Sequence, residues 1–277
     1  MPASPAARRL ARDLGIEISV VPPSAPGKRI TTDDVEAFAA RPPAAAAEAP
    51  AAGAVPGRAV PFEGVRKVVA ERLHESLQTM AQVTVSREAE VGGLVERRAL
   101  LAAGFEAASG LRLTYTDLLV EAVAALLPEH PLLNSALVED SIVLSDAVHM
   151  GVAVALEDGL IVPVIRNAHS KSLGDLARDR VELAAKAQAG TLAMDEIEGG
   201  TFTISNLGAF GADSFTPIVN PPQCAILGVG RIVEKPVVAA GEVLVRPTMW
   251  LSLTFDHRLV DGAPAARFLQ ALADRLA

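Results

Sequence analysis

Residues 41–58, RPPAAAAEAPAAGAVPGR, set the first constraint on how this chain can fold. Alanine and proline dominate, no apolar periodicity offers a face to bury, and the prolines remove backbone donors that a continuous helix needs. Such a stretch reads as a semi-stiff, extended spacer between folded units. The 277 residues therefore divide into a small module, 1–40, a linker, 41–58, and a large domain, 59–277.

In the module, Ser4 is placed to cap a helix with Pro5 at its first position, and Ala7, Leu10, Ala11 and Leu14 form one apolar stripe. Gly15 ends that helix. After a Pro-rich loop, Thr31 and Asp34 have the spacing of a capping box that opens a second short helix through Phe38. Two short helices enclose a very small core, which suits a docking surface better than a site of chemistry.

The large domain alternates helical and extended patterns. Helices are expected over 63–80, through Leu94 and Leu101, over 114–127 with Thr116 as cap, from about Leu173 to Ala189, and from about Ala263 to Leu276. Strands are expected at Val83 and Val85, in SIVLS, VHMGVAVAL and LIVPVIR, and through TFTISNLG, FTPIVN, CAILGVGRIVEKPVV and VLVRPTMWLSLTFDH. Helices with a mixed, largely antiparallel sheet make an α+β or two-layer sandwich class.

Composition narrows the function. Half the residues are hydrophobic, enough for a sizeable core, yet no run approaches the roughly 18–20 apolar residues of a membrane span. The N-terminus has no apolar h-region, so a cytoplasmic protein is expected. A net charge of −8 argues against a nucleic-acid binder. One cysteine excludes an internal disulfide, and the five histidines are dispersed, so no metal-ligand cluster is expected.

The stretch Phe255 to Gly262, FDHRLVDG, is the most informative for chemistry. An apolar strand ends in His257 between charged neighbours, then Asp261 and Gly262 turn the chain into the last helix. An imidazole titrates near pH 6.5 and suits proton removal at neutral pH. A thiol of pKa about 8.5 is only about 3% ionised at pH 7, so thiol chemistry gains from such a base. By themselves the residues fit somewhat better a histidine that only satisfies hydrogen bonds at a strand end. Cys224 lies in the apolar CAILGV run and reads as a buried thiol rather than a nucleophile. Gly208 and Gly211 lack the Lys-Ser/Thr pair of a phosphate loop and read as turn formers.

DHRLVDG resembles the DHRxxDG motif of the 2-oxo acid dehydrogenase acyltransferases, within the broader HxxxDG superfamily. GGTFTISNLGAFG, residues 199–211, is similar to that family's second signature, and EDGLIVPVIRNA, HPLLNSAL, YTDLLVEAVA and FTPIVNPPQCAILGVG are further matching stretches. SPAARRLARDLGIEI and KRITTDDVEAF resemble its peripheral subunit-binding domain, although PSAPGKRI, with Pro23, Ala25 and Lys28, replaces a glycine-rich loop.

The resemblance implies a chloramphenicol-acetyltransferase-like two-layer sandwich with a mixed sheet, plus a small two-helix N-terminal module. It implies acyl transfer between dihydrolipoamide and coenzyme A, acetyl before branched-chain or acetoin-complex chemistry, because Ser205 stands where succinyl-transferring relatives carry threonine. A core subunit that only tethers partners is the other class, and His257 speaks against it. In this frame His257 is the general base, Ser205 the oxyanion donor, and Asp261 a structural residue held by an arginine, with Arg66 a candidate. Asn206 and Gly208 are candidate substrate contacts. Arg8, Arg9 and Arg29 are expected to dock a 2-oxo acid decarboxylase or dihydrolipoamide dehydrogenase. No tightly bound cofactor is expected: coenzyme A is a substrate, and the lipoyl group comes from a lipoyl domain absent from this chain. The two catalytic groups would come from neighbouring subunits of a homotrimer. Family members continue beyond AARFLQALADRLA into an apolar tail that joins trimers, so a trimer rather than a larger shell is expected.

Overall fold

The computed structural model describes residues 3–25, 28–40, 60–156, 159–239 and 241–277. The proposed linker, 41–58, lies outside the described residues. The chain separates into two compact units, residues 1–60 and 61–277.

In the first unit, helix α1 spans Pro5–Asp13 and α2 spans Thr32–Ala39. The Ser4 side chain accepts the Ala7 N–H at 3.1 Å, and Asp34 accepts the Thr31 N–H at 2.8 Å, so both first turns have partners for orphan donors. Ala7, Ala11, Val21, Ile30 and Val35 form the core. The chain needs no glycine at Pro23 or Ala25, since neither has positive φ.

The second unit opens with α3, Gly64–Thr79, then β1, Gln82–Glu90; α4, Gly92–Ser109; and α5, Tyr115–Leu126. Two short strands, β2 (Ser135–Val138) and β3 (Ser141–Leu144), form a separate hairpin. Next come β4 (Met150–Val152), β5 (Val154–Leu156), β6 (Gly159–Ile161) and β7 (Val164–Ile165). Helix α6, Leu173–Ala189, precedes β8 (Phe202–Asn206), β9 (Ala225–Val229), β10 (Val233–Ala239), β11 (Glu242–Asp256) and α7, Gly262–Leu276. The sheet order is β1-β11-β9-β8-β4-β7, with β10 added to the start of β11. Pairs β4–β8 and β8–β9 are parallel and the rest antiparallel, the mixed α+β arrangement expected.

Strand alternation sorts the two faces. Met249, Leu251, Leu253 and Phe255 of β11 share one face with Leu227 and Val229 of β9 and with Phe202 and Ile204 of β8. All are buried in one core with Phe268, Leu269, Leu272 and Leu276 of α7. Phe202 and Phe268 meet with ring centroids 6.0 Å apart, and each side chain of this size contributes roughly 1.5–3 kcal/mol on burial. The other face is polar: Thr84 meets Thr254 at 2.8 Å, and Ser86 donates to Ser252 at 3.0 Å.

Helix α5 is apolar on nearly every side and sits against α4, α6 and α7. Its one buried charge, Asp117, receives Arg180 of α6 through Nε at 2.5 Å and a terminal nitrogen at 3.3 Å. The cap is Thr114, not Thr116: Asp117 lies three residues beyond Thr114 and closes the reciprocal box, whereas Leu119 occupies that place for Thr116.

FTPIVN does not form a strand. Pro217 takes a donor out of the segment, and Pro221 and Pro222 take out the next two. The Val219 carbonyl is held from outside instead, by Ser76 at 2.6 Å, and the Pro221 carbonyl just beyond by Arg72 at 2.7 Å. The segment lies over the polar face, where a Cβ on Gly228 would meet Phe215 and Pro217 at 3.0 and 3.1 Å.

Cys224 precedes β9 in the core, and burial pushes its thiol up to about 12. A thiol-disulfide reagent at pH 8 should therefore leave the folded protein unlabelled and label one equivalent in denaturant; fast labelling of the native protein would contradict this placement.

Candidate functional site

The DHRLVDG segment is built around a buried carboxylate. Asp256 ends β11 with 1% exposure and accepts the Arg258 N–H at 3.1 Å, its Nε at 3.0 Å and a terminal guanidinium nitrogen at 2.6 Å. The Ala81 N–H adds a bond at 3.3 Å. Burial works to raise the Asp256 pKa, but these hydrogen bonds and the Arg258 charge outweigh it and hold the carboxyl below its usual value. The clamp folds the chain back on itself, and buried Leu259 and Val260 fasten the turn to the core.

His257 sits on this turn. Its N–H donates to Ala81 O at 2.8 Å, fixing the backbone, while the side chain is 42% exposed. Its ring lies 5.8 Å from that of Phe255, tilted by 34°. Asp261, just before α7, brings Oδ1 to 3.7 Å from His257 Nδ1, with its own side chain 84% exposed. Arg66 makes no ion pair with it among the described residues; the arginine–carboxylate pair in this turn is Arg258 with Asp256, because residues two apart in a tight turn meet directly.

Ser205 lies near the end of β8, half-buried, on the polar face. It is level with Gly228 of β9, which is level with Ser252 of β11. His257 is two strands away and five residues farther on. At about 4.8 Å between strands and about 3.3 Å per residue, the two backbones are roughly 19 Å apart. One protomer therefore does not bring Ser205 and His257 together.

Beyond Ser205 the chain turns sharply. Asn206 Oδ1 accepts the Gly208 N–H at 2.9 Å, and Asn206 Nδ2 donates to Thr116 Oγ1 at 3.2 Å. A side chain at Gly208 would strike the Gly230 carbonyl at 2.6 Å, so close backbone approach requires glycine there. Asn206 and Gly208 line a cleft of about 470 Å³ with Tyr115, Thr116, Arg180, Arg231, Ile232 and Met249 among its walls. The Asn206 amide is already committed at both ends.

Two contacts carried no signal of their own in the sequence, Asp117 with Arg180 and Thr116 with Asn206; a third, Arg166 with the loop before β8, carried a faint one. Arg166 donates to the carbonyls of Asp195, Glu198 and Gly199 at 2.6, 2.7 and 3.2 Å. An arginine closing the apolar run LIVPVIR, beside a buried strand end, is the one hint that was available. In the first unit Arg8, Arg9 and Arg29 are all exposed.

Residues 55–277 match the model of the 2-oxoacid dehydrogenases acyltransferase (catalytic domain), and residues 1–36 match the e3 binding domain. The chain is 42% identical over 273 residues to the dihydrolipoyllysine-residue acetyltransferase component of the acetoin cleaving system of Bacillus subtilis, covering 98% of this chain and 68% of that protein. It is 40% identical over 286 residues to the succinyltransferase component of the 2-oxoglutarate dehydrogenase complex of Pseudomonas aeruginosa, covering 99% and 70%. The structure resembles Azotobacter vinelandii dihydrolipoamide acetyltransferase with a TM-score of 0.77 and 42% identity, over 80% of this chain and 91% of that one. With the match running through the whole α+β unit that carries His257 and Ser205, the chain belongs to the 2-oxoacid dehydrogenase acyltransferase family.

Proposed function

We propose that this acyltransferase moves an acetyl group between dihydrolipoamide and coenzyme A, with His257 and Ser205 supplied by neighbouring protomers of a homotrimer. The observation that carries the reading is the pairing of an exposed imidazole at one end of the sheet with a half-buried serine at the other. The Azotobacter enzyme was studied for the catalytic roles of a serine, a histidine and an asparagine separated by 52 and four positions. Ser205, His257 and Asp261 keep that spacing, with a carboxylate at the third place. Acetyl is favoured by Ser205 and by the acetoin-system relative.

With Asp261 on the Nδ1 side, Nε2 of His257 takes the proton from the coenzyme A thiol. The thiolate attacks the carbonyl carbon of the acyl-dihydrolipoamide thioester, forming one C–S bond and an oxyanion. The Ser205 hydroxyl donates to that oxygen, a contribution of about 10²–10³ in rate. Collapse breaks the bond to the dihydrolipoamide sulfur, which recovers the proton from the imidazolium. No acyl-enzyme forms, in keeping with a Cys224 thiol that stays protonated.

Exposed Arg8, Arg9 and Arg29 support docking of the N-terminal unit to an acidic face of a decarboxylase or dihydrolipoamide dehydrogenase. Titration against either enzyme at rising ionic strength should show affinity falling steeply; salt-independent binding argues against a charge-based interface.

His257→Ala should reduce kcat by at least about a hundredfold with the assembly mass unchanged, and Ser205→Ala by about 10²–10³. A His257→Ala protein with more than about a tenth of the normal rate would end the general-base reading. Mixing the two inactive variants under conditions of subunit exchange tests the shared site. Each site needs serine from one chain and histidine from the next, so equal mixing should restore about a quarter of wild-type activity. Recovery no greater than the sum of the separate variants would place both groups within one protomer.

A further inference from the structure

We infer that Thr116 is a positioning residue for Ser205, acting through the side chain of Asn206; the inference rests on the reading of Ser205 as oxyanion donor. The end of β8 is held weakly by the sheet itself. Strand β4 pairs with β8 only from Phe202 to Ile204, the last ladder contact being the Ala153 N–H to Ile204 O at 3.0 Å. From Ser205 onward β8 keeps a neighbour on one side alone, β9, through Gly228 and Val229. A strand end with half its ladder frays readily.

Asn206 supplies what the missing ladder does not. It follows Ser205 in the strand and so projects to the opposite face. There its Nδ2 donates to Thr116 Oγ1 at 3.2 Å, while its Oδ1 holds the Gly208 N–H at 2.9 Å and fixes the turn that follows. Thr116 is a sound anchor because it lies in the first turn of α5. That turn is closed by the Thr114–Asp117 capping box, and the Asp117 carboxylate, wholly buried, is gripped by Arg180 of α6. Position therefore passes from two packed helices to Thr116, then through Asn206 to Ser205. An oxyanion donor must stand within tenths of an ångström of its target in the transition state, so a loosened β8 end should reduce turnover more than substrate binding.

Thr116→Val keeps the branched shape and removes the acceptor, and the neighbouring cleft lets water reach the released Asn206 amide, so the cost in stability should be small. The expected result is a fall of about five- to twentyfold in kcat, with KM for coenzyme A and for the dihydrolipoamide substrate within about twofold of wild type. Thr116→Ala should reproduce the fall, and Thr116→Ser should recover wild-type kcat to within about twofold. The decisive measurement is the double-mutant cycle with Ser205→Ala. In that background Thr116→Val should change kcat by less than about twofold, because the hydroxyl being positioned is gone. Equal losses in the two backgrounds, or no loss in the wild-type background, overturn the inference while leaving the Ser205 reading intact. Full activity in Ser205→Ala alone overturns the reading itself, and the inference with it.

Discussion

The register of β11 is the constraint on which the rest of the large unit depends. This single strand of fifteen residues pairs with β10 along its first half and with β1 and β9 along its second. A shift of one residue would send Leu251, Leu253 and Phe255 to the polar face and bring Ser252, Thr254 and Asp256 into the helix layer. The correct register is held on both faces at once, by apolar burial against α7 on one and by the paired hydroxyls of Thr84 with Thr254 and Ser86 with Ser252 on the other. It also determines which residue emerges at the end of the strand, and that residue is His257.

Two buried carboxylates hold the ends of the sheet, each with an arginine and with backbone donors. Asp256 folds the turn that presents His257, and Asp117 closes the helix start beneath the Ser205 turn. Leaving either charge buried without its partner would cost several kcal/mol, about 3–5 by the usual experience with such pairs. Both carboxylates are buried, while Arg180 also lines the cleft beside Asn206. They set backbone geometry, while the residues with chemistry to offer, His257 and Ser205, remain exposed or half-buried.

Helix and strand periodicity located nearly every element of the large unit, because α7 and β11 bury continuous apolar faces whose spacing is visible in the chain. FTPIVN departs from the strand expected there for a definable reason. Its apolar residues look like a strand, but the prolines in and just after it leave too few donors for a ladder, and the partners here are the Ser76 and Arg72 side chains far away in sequence. The cap of α5 is Thr114 rather than Thr116 because the reciprocal acid stands three residues on, at Asp117, a spacing that the sequence itself contains.

The sequence by itself determined the motif chemistry. It contained an imidazole after an apolar strand, a serine just before a glycine-rich turn, a buried cysteine, and two folded units either side of an Ala/Pro-rich stretch, because residue type and spacing express these directly. Which arginine answers which carboxylate was decided only in three dimensions: Arg258 rather than Arg66 in the turn, and Arg180 for Asp117 across 63 residues. The tertiary structure alone also separated Ser205 from His257. Linear spacing carries no information on whether two residues lie at the same end of a sheet, and here the strand order β8-β9-β11, with β9 and β11 antiparallel, sends them to opposite ends.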